Sequence, residues 1–247
     1  MFMGLVGSEM CIRDSFPTPR SFNSSSELSY AIQSTSTTAR PVRRRDGYSP
    51  DRRHRESPSP HSRAAMNVII LPGSGCAPTR SCNHYAWLER ALIDRGVTDD
   101  VRLTTPSMPD ADVCRRHIWV PHCENELRCD ANTVIVGHSS GAVCAMRVAE
   151  RNAVRGIVLV AGYDDDLGDA TERASGYFDD AFDYGKIASN CSRGIECVIG
   201  TRDSLVPAAI QLALAKKLGA RESVSETRDH FFTPPAEEIF DAVKRFL

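Results

Sequence analysis

Gly137-His138-Ser139-Ser140-Gly141 sets a serine between two glycines. An apolar run, Thr133-Val134-Ile135-Val136, precedes it, and a stretch with helical pattern follows from about Ala142 to Asn152. A serine hydroxyl can attack a carbonyl when a tight strand-to-helix turn lifts it above the sheet edge. Such a turn needs glycine on either side, because side chains there would collide with neighbouring elements. The free N–H groups of the following helix then favour the negative charge that develops during attack. Ser139 is the candidate nucleophile, and the backbone N–H of Ser140 is a candidate oxyanion donor. The competing reading is a serine that only caps the helix. Gly73-Ser74-Gly75 follows an earlier apolar run, and the backbone of Ser74 and Gly75 offers the second donor. A dinucleotide-binding reading of that loop fails at Pro78, where a third glycine is required.

A serine hydroxyl also needs a base, and the base needs a carboxylate to orient it. In sheets with this turn the chain order is serine, acid, histidine. Of seven histidines, His54 and His61 lie in the amino-terminal region, and His84, His117 and His122 precede the serine. His138 adjoins the serine, where the turn sends neighbouring side chains elsewhere. His230 is left, on a loop between the last expected strand and the last helix. Asp203, in Gly200-Thr201-Arg202-Asp203, follows a strand and is the expected acid, whereas Asp229 is too near His230 to face its ring. Neither a cofactor nor a metal is called for. Cys191 and Cys197 with His117 and His122 match no zinc spacing.

Elements able to hold such a site are visible from Met66 onward. Asn67–Leu71, Thr133–Val136, Gly156–Ala161 and Ile195–Ile199 are short continuous apolar runs, the pattern of strands buried on both faces. Val101–Thr105 and Ser223–Thr227 are weaker strands. Helical spacing covers Tyr85–Arg95, the stretch from Asp112 to Leu127 (with Pro121 as a kink) and Ala236–Phe246. Alternation of this kind predicts an α/β domain over 66–247, a three-layer αβα sandwich on a mainly parallel sheet.

The chain has 247 residues and a formal charge of −2. Its longest apolar runs fall far short of the roughly 18 residues that span a bilayer, so no membrane segment is expected. Residues 1–65 carry 10 Arg and six acids, a formal +4, while the remainder carries 20 basic and 26 acidic residues, a formal −6. No nucleic-acid partner is expected of the domain. The Ser-, Pro- and Arg-rich stretch from Phe16 to Ala65 reads as a disordered arm. Its Arg43-Arg44-Arg45 run is an organelle or nuclear address, a nucleic-acid contact, or an upstream stretch with no part in the fold. Met1–Ser15 resembles translated read-through of a sequencing adapter, with Met66 the expected start. Nine cysteines, an odd number without any Cys-x-x-Cys, read as reduced thiols of a cytoplasmic protein.

From Met66 onward the sequence resembles the retinoblastoma-binding protein nine family of small serine hydrolases. The likeness rests on Met108-Pro109-Asp110, Ile118-Trp119-Val120-Pro121, the Gly137–Ala142 run, Asp166-Leu167-Gly168-Asp169 and Glu172-Arg173-Ala174-Ser175-Gly176-Tyr177-Phe178. It implies a small α/β-hydrolase fold, a triad on Ser139, Asp203 and His230, and esterase- or aminopeptidase-like activity on a small ester, amide or short peptide. The family's Leu-x-Cys-x-Glu motif falls on Leu127-Arg128-Cys129-Asp130-Ala131, where Ala131 replaces the glutamate. The retinoblastoma protein is therefore not an expected partner.

The expected chemistry is hydrolysis through an acyl-Ser139 intermediate. An acyltransferase, or a catalytically idle interaction protein on the same scaffold, is the alternative. Trp119, Tyr177 and Phe178 are candidates for an apolar substrate pocket, or else for core. Between Tyr163 and Asp183 lie eight acids and one basic residue, Arg173. If it overhangs the serine, this segment favours substrates that carry a cation; otherwise it is a solvated connector.

Overall fold

In a computed structural model, residues 65–96 and 100–247 are described; the arm, Cys11 and the expectations attached to them lie outside that range. Six strands form one parallel sheet: β1 (Met66–Leu71), β2 (Val101–Thr104), β3 (Thr133–His138), β4 (Gly156–Val160), β5 (Ile195–Gly200) and β6 (Arg221–Ser225). Their spatial order is β2-β1-β3-β4-β5-β6. From β1, inside the sheet, the chain steps outward to β2, returns past β1 to β3 and continues the other way. The carboxyl ends of β1 and β3 flank the point where this winding reverses, the usual ligand crevice of open α/β sheets.

Helices cover both faces. α1 (Tyr85–Asp94) and α7 (Glu237–Lys244) pack on one side with Val68, Ile70, Val136 and Val160. On the other side, with Ile69, Leu71, Ile135 and Leu159, lie α2 (Arg116–Asn125), α3 (Ser140–Arg151), α5 (Tyr184–Asn190) and α6 (Ala208–Leu218). The short α4 (Ala170–Ala174) buries no residue. Each central strand sends alternate apolar side chains into the two cores, which is why these runs read as continuous rather than alternating. Ser140 through Ala149 of α3 are all buried, and small residues at Gly141, Ala142 and Ala145 let this helix lie close against the sheet.

The sandwich matches the expectation, with local differences. α2 begins at Arg116, four residues after Asp112, and Pro121 sits inside it. β6 begins at Arg221, two residues before the expected start. α6 had no counterpart in the reading of the sequence, because partly exposed Ile210 and exposed Leu212 blur the stripe made by Gln211, Leu214, Ala215 and Leu218. Among the described residues, eight cysteines are free thiols, and no helix is long and apolar enough to cross a membrane.

Candidate active site

Ser139 stands alone between β3 and α3 with φ 54° and ψ −122°, a conformation that costs a side-chain-bearing residue strain. The surroundings enforce it. The Ser139 N–H donates to the Val160 carbonyl at 2.9 Å, and its carbonyl accepts from the N–H of Ala142 at 2.8 Å. A Cβ added at Gly137 would lie 2.3 Å from the Gly141 carbonyl oxygen, and one at Gly141 would lie 2.5 Å from that of Pro72. Both flanking glycines are therefore demanded by close backbone approach.

Asp203 follows β5 and is held by both oxygens. Oδ1 accepts from the N–H groups of Leu205 (2.9 Å) and Val206 (2.8 Å). Oδ2 accepts from His230 Nδ1 at 2.8 Å and from Gln211 Nε2 at 3.0 Å. Burial pushes this carboxyl up, but the bonds from His230, Val206 and Leu205 outweigh it and leave the group below its usual value. An ionised carboxylate only accepts, so His230 carries a proton on Nδ1, and Nε2 is the nitrogen that can serve as a base. The loop bearing His230 crosses the end of β5 so closely that a Cβ at Gly200 would meet the Asp229 carbonyl oxygen at 2.3 Å.

Ser139 and His230 line one cavity of about 540 Å³, together with Ser74, Gly75, Asp112, Tyr163, Leu167, Glu172 and Leu205. Of the loop after β1, the Gly73 N–H donates to Tyr85 Oη at 2.8 Å and the Gly75 N–H to the Ala111 carbonyl at 2.8 Å. Gly75 is thereby corrected: its donor fastens the loop to the Ala111 segment, and Ser74 is left to supply an N–H to the cavity. Ser140 opens α3, where first-turn N–H groups have no partner within the helix.

The expected apolar pocket also needs correction. Trp119 and Tyr177 are 0% exposed and belong to the core on the α3 face. Trp119 Nε1 is bonded to the Pro109 carbonyl at 2.6 Å. Phe178 is half-buried against the same core, its ring 6.0 Å from that of Tyr163. Of the two readings the sequence leaves open for these rings, pocket or core, the structure has the core, where their area is buried between helices and sheet.

Most of the acids between Tyr163 and Asp183 are engaged locally. Asp164 pairs with Lys217, Asp166 with Arg173 and Asp180 with Arg116, while Asp169 and Asp183 cap α4 and α5. Glu172 differs. It lines the cavity, and its Oε1 accepts from Ser140 Oγ at 3.3 Å. Its buried Oε2 has no partner among the described residues. Burial raises its carboxyl above the ordinary value. The Tyr163 hydroxyl lies 3.3 Å from Ser140 Oγ. No spacing in the sequence ties Glu172, Tyr163 or Gln211 to the serine; each arrives through the fold.

Two further histidines are buried beside the site. Burial pushes His84 down to about 4 and holds His138 well below its usual 6.5. In the unfolded chain both bind a proton near pH 6.5, whereas the folded protein resists until about pH 4 for His84, and burial likewise holds His138 neutral well below its ordinary value. Stability therefore falls as pH drops through this window. Between pH 6.5 and 4.5 the loss attributable to His84 is about 2 kcal/mol, and His138 adds to it in the same direction. Urea unfolding at the two pH values measures it, and His84→Gln should reduce the loss. Equal stability at both pH values would show that the histidines are not held neutral.

Comparisons with known proteins place the chain in a family and a fold. The family model described as Serine hydrolase matches residues 68–234. Serine hydrolase RBBP9 of Rattus norvegicus is 37% identical over 180 residues, covering 73% of this chain and 95% of the rat protein. Among solved structures, the ydeN gene product from B. subtilis matches with TM-score 0.64 at 22% identity, over 73% of this chain and 98% of that one. Est1E from Butyrivibrio proteoclasticus, solved with ferulic acid bound, matches with TM-score 0.53 at 16% identity, over 73% and 87%. At such identities the structural likeness speaks for the fold, which is that of the α/β hydrolases. Since the family model spans most of the described domain and the rat relative aligns along nearly its whole length, the chain belongs to the RBBP9-like serine hydrolases.

Proposed function

We propose that this serine hydrolase cleaves small esters or amides through an acyl-Ser139 intermediate, with His230 as base and Asp203 as its orienting carboxylate. The observation that carries the reading is the His230 ring, fixed on Asp203 at 2.8 Å and sharing a cavity with a serine held at φ 54°. His230 Nε2 takes the hydroxyl proton as Ser139 Oγ bonds to the substrate carbonyl carbon. The N–H groups of Ser140 and Ser74 receive the resulting oxyanion. Collapse expels the alcohol or amine, which leaves with the proton from His230. Water then attacks the acyl-serine with the same histidine as base, and the acid departs.

The acyl group we propose bears a free amine, the aminopeptidase-like choice. Support comes from the lining of the cavity, where Asp112, Asp169 and Glu172 appear without Lys or Arg. Leu167 and Leu205 offer apolar area beside them. The overhanging acids Asp164, Asp165 and Asp166 are not part of the reading, since none of the three lines the cavity. Nor is the retinoblastoma protein, since Ala131 stands where the motif needs glutamate and Cys129 is buried.

A panel of amino-acid amides and matched neutral esters tests the proposal. Glu172→Gln should raise KM for the amine-bearing substrates about 10- to 100-fold, the value of a charge-assisted hydrogen bond, and change neutral esters far less. Equal changes in both series would refute recognition of the amine by Glu172.

A further inference from the structure

The histidine next to the serine does not point away into an idle position. His138 Nδ1 lies 2.7 Å from Tyr85 Oη, and its Nε2 lies 2.9 Å from the carbonyl oxygen of His230. A carbonyl can only accept, so the proton of the neutral His138 ring is on Nε2 and its lone pair is on Nδ1. Tyr85 must then donate to Nδ1. Its oxygen is left to accept from the Gly73 N–H at 2.8 Å and from Asn83 Nδ2 at 3.2 Å. Burial holds the phenol in its protonated form, as this arrangement requires. The short contacts from Gly73 to His230 thus run in one direction, with Cys76 Sγ as a longer contact of Tyr85 Oη at 3.9 Å.

The chain joins three parts of the site that are far apart in sequence. Gly73 begins the loop whose next residue is Ser74. His138 ends β3 immediately before Ser139. His230 carries the proposed base. The next peptide of that loop is held in the same manner, because His84 Nδ1 lies 2.8 Å from the Phe231 carbonyl oxygen. Phe231 adopts φ 56°, a conformation a large side chain accepts only when its surroundings impose it. Side chains from the residue just before α1 and from the end of β3 thus grip two successive carbonyls of the loop.

We propose that His138, through Tyr85, is a positioning residue for catalysis: its Nε2–H fixes the backbone of His230 relative to Ser139. The proposal rests on the triad reading above. It gives the relay a role beyond packing, since a displacement of the base by about 1 Å costs up to ~100-fold in rate. His138 touches neither substrate nor the reacting atoms, and its effect is therefore expected in kcat with little change in KM.

The test measures hydrolysis of a p-nitrophenyl ester, with active sites counted by stoichiometric labelling with a fluorophosphonate. His138→Leu removes the donor to His230. It should lower kcat per labelled site ~10- to 100-fold with KM within about 2-fold. His138→Gln keeps an N–H near the Nε2 position and should recover most of the loss. Tyr85→Phe leaves the Gly73 N–H and His138 Nδ1 unpartnered and should lower kcat ~10-fold; it carries the test alone if His138→Leu does not fold. A purely structural role would reduce the number of labelled sites and the unfolding midpoint but leave kcat per site unchanged. That outcome, or equal losses in the Leu and Gln variants, overturns the proposal. Ser139→Ala, run in parallel, separates the two levels: turnover retained there refutes the triad reading, whereas turnover lost there with kcat per site unchanged in the relay variants refutes the relay alone.

Discussion

Ser139→Ala is expected to lower kcat roughly 10⁴- to 10⁶-fold while the protein remains folded. The size follows from what is removed. Without the hydroxyl no acyl-enzyme forms, and only binding and the oxyanion donors remain to assist direct attack by water. The backbone at this position is strained for serine and alanine alike, so the unfolding midpoint should hardly move. Ser139→Gly makes the same chemical deletion and relieves the strain; it should be as inactive yet about 1 kcal/mol more stable. Steady-state kinetics with urea unfolding of both variants checks the pair. Substantial turnover in either would show that the nucleophile lies elsewhere.

Arg147→Leu is expected to destabilise the domain by about 3–5 kcal/mol, the usual cost of removing one partner from a buried ionic network. Arg147 lies in α3 and is 1% exposed. Its guanidinium donates to the carbonyls of Tyr177 (2.5 Å) and Asp180 (2.5 Å) and to Glu150 at 2.8 Å. It also stacks 3.6 Å from the centre of the Phe182 ring. The clamp fastens the segment between α4 and α5 to the helix that follows Ser139. Without it, the buried Tyr177 carbonyl loses its donor, and the part-buried acceptors of Asp180 and Glu150 lose theirs from Arg147. Arg147→Lys keeps the charge but not the planar fork, and should lose most of the same stability. Urea unfolding measures both, and a loss under 1 kcal/mol would show that the clamp is dispensable.

What was legible in the sequence was whatever local spacing carries. Gly137 and Gly141 announce the turn because each meets backbone at under 3 Å, a constraint only glycine satisfies. Asp203 and His230 follow from chain order once the serine is placed, and the structure sets them 2.8 Å apart. What was not legible depends on pairs distant in the chain. Tyr85 meets His138 across 53 residues, and His138 meets His230 across 92. Nothing near any of them in sequence marks the partner. Gln211 is likewise silent: a polar residue in a helix reads as solvent-facing until the fold buries it against Asp203. Trp119 and Tyr177 stay ambiguous in the sequence for the converse reason, since a large ring beside a motif fits a core as well as a pocket. Gly75 could not be judged without knowing that Ala111 takes its N–H.

The most direct measurement is peptide mass mapping of the protein after exposure to a fluorophosphonate. The account predicts a single adduct on Ser139, formed at a rate that falls by several orders of magnitude in His230→Ala and in Asp203→Asn. An adduct on another residue, or labelling of Ser139 at an undiminished rate without His230, would contradict it.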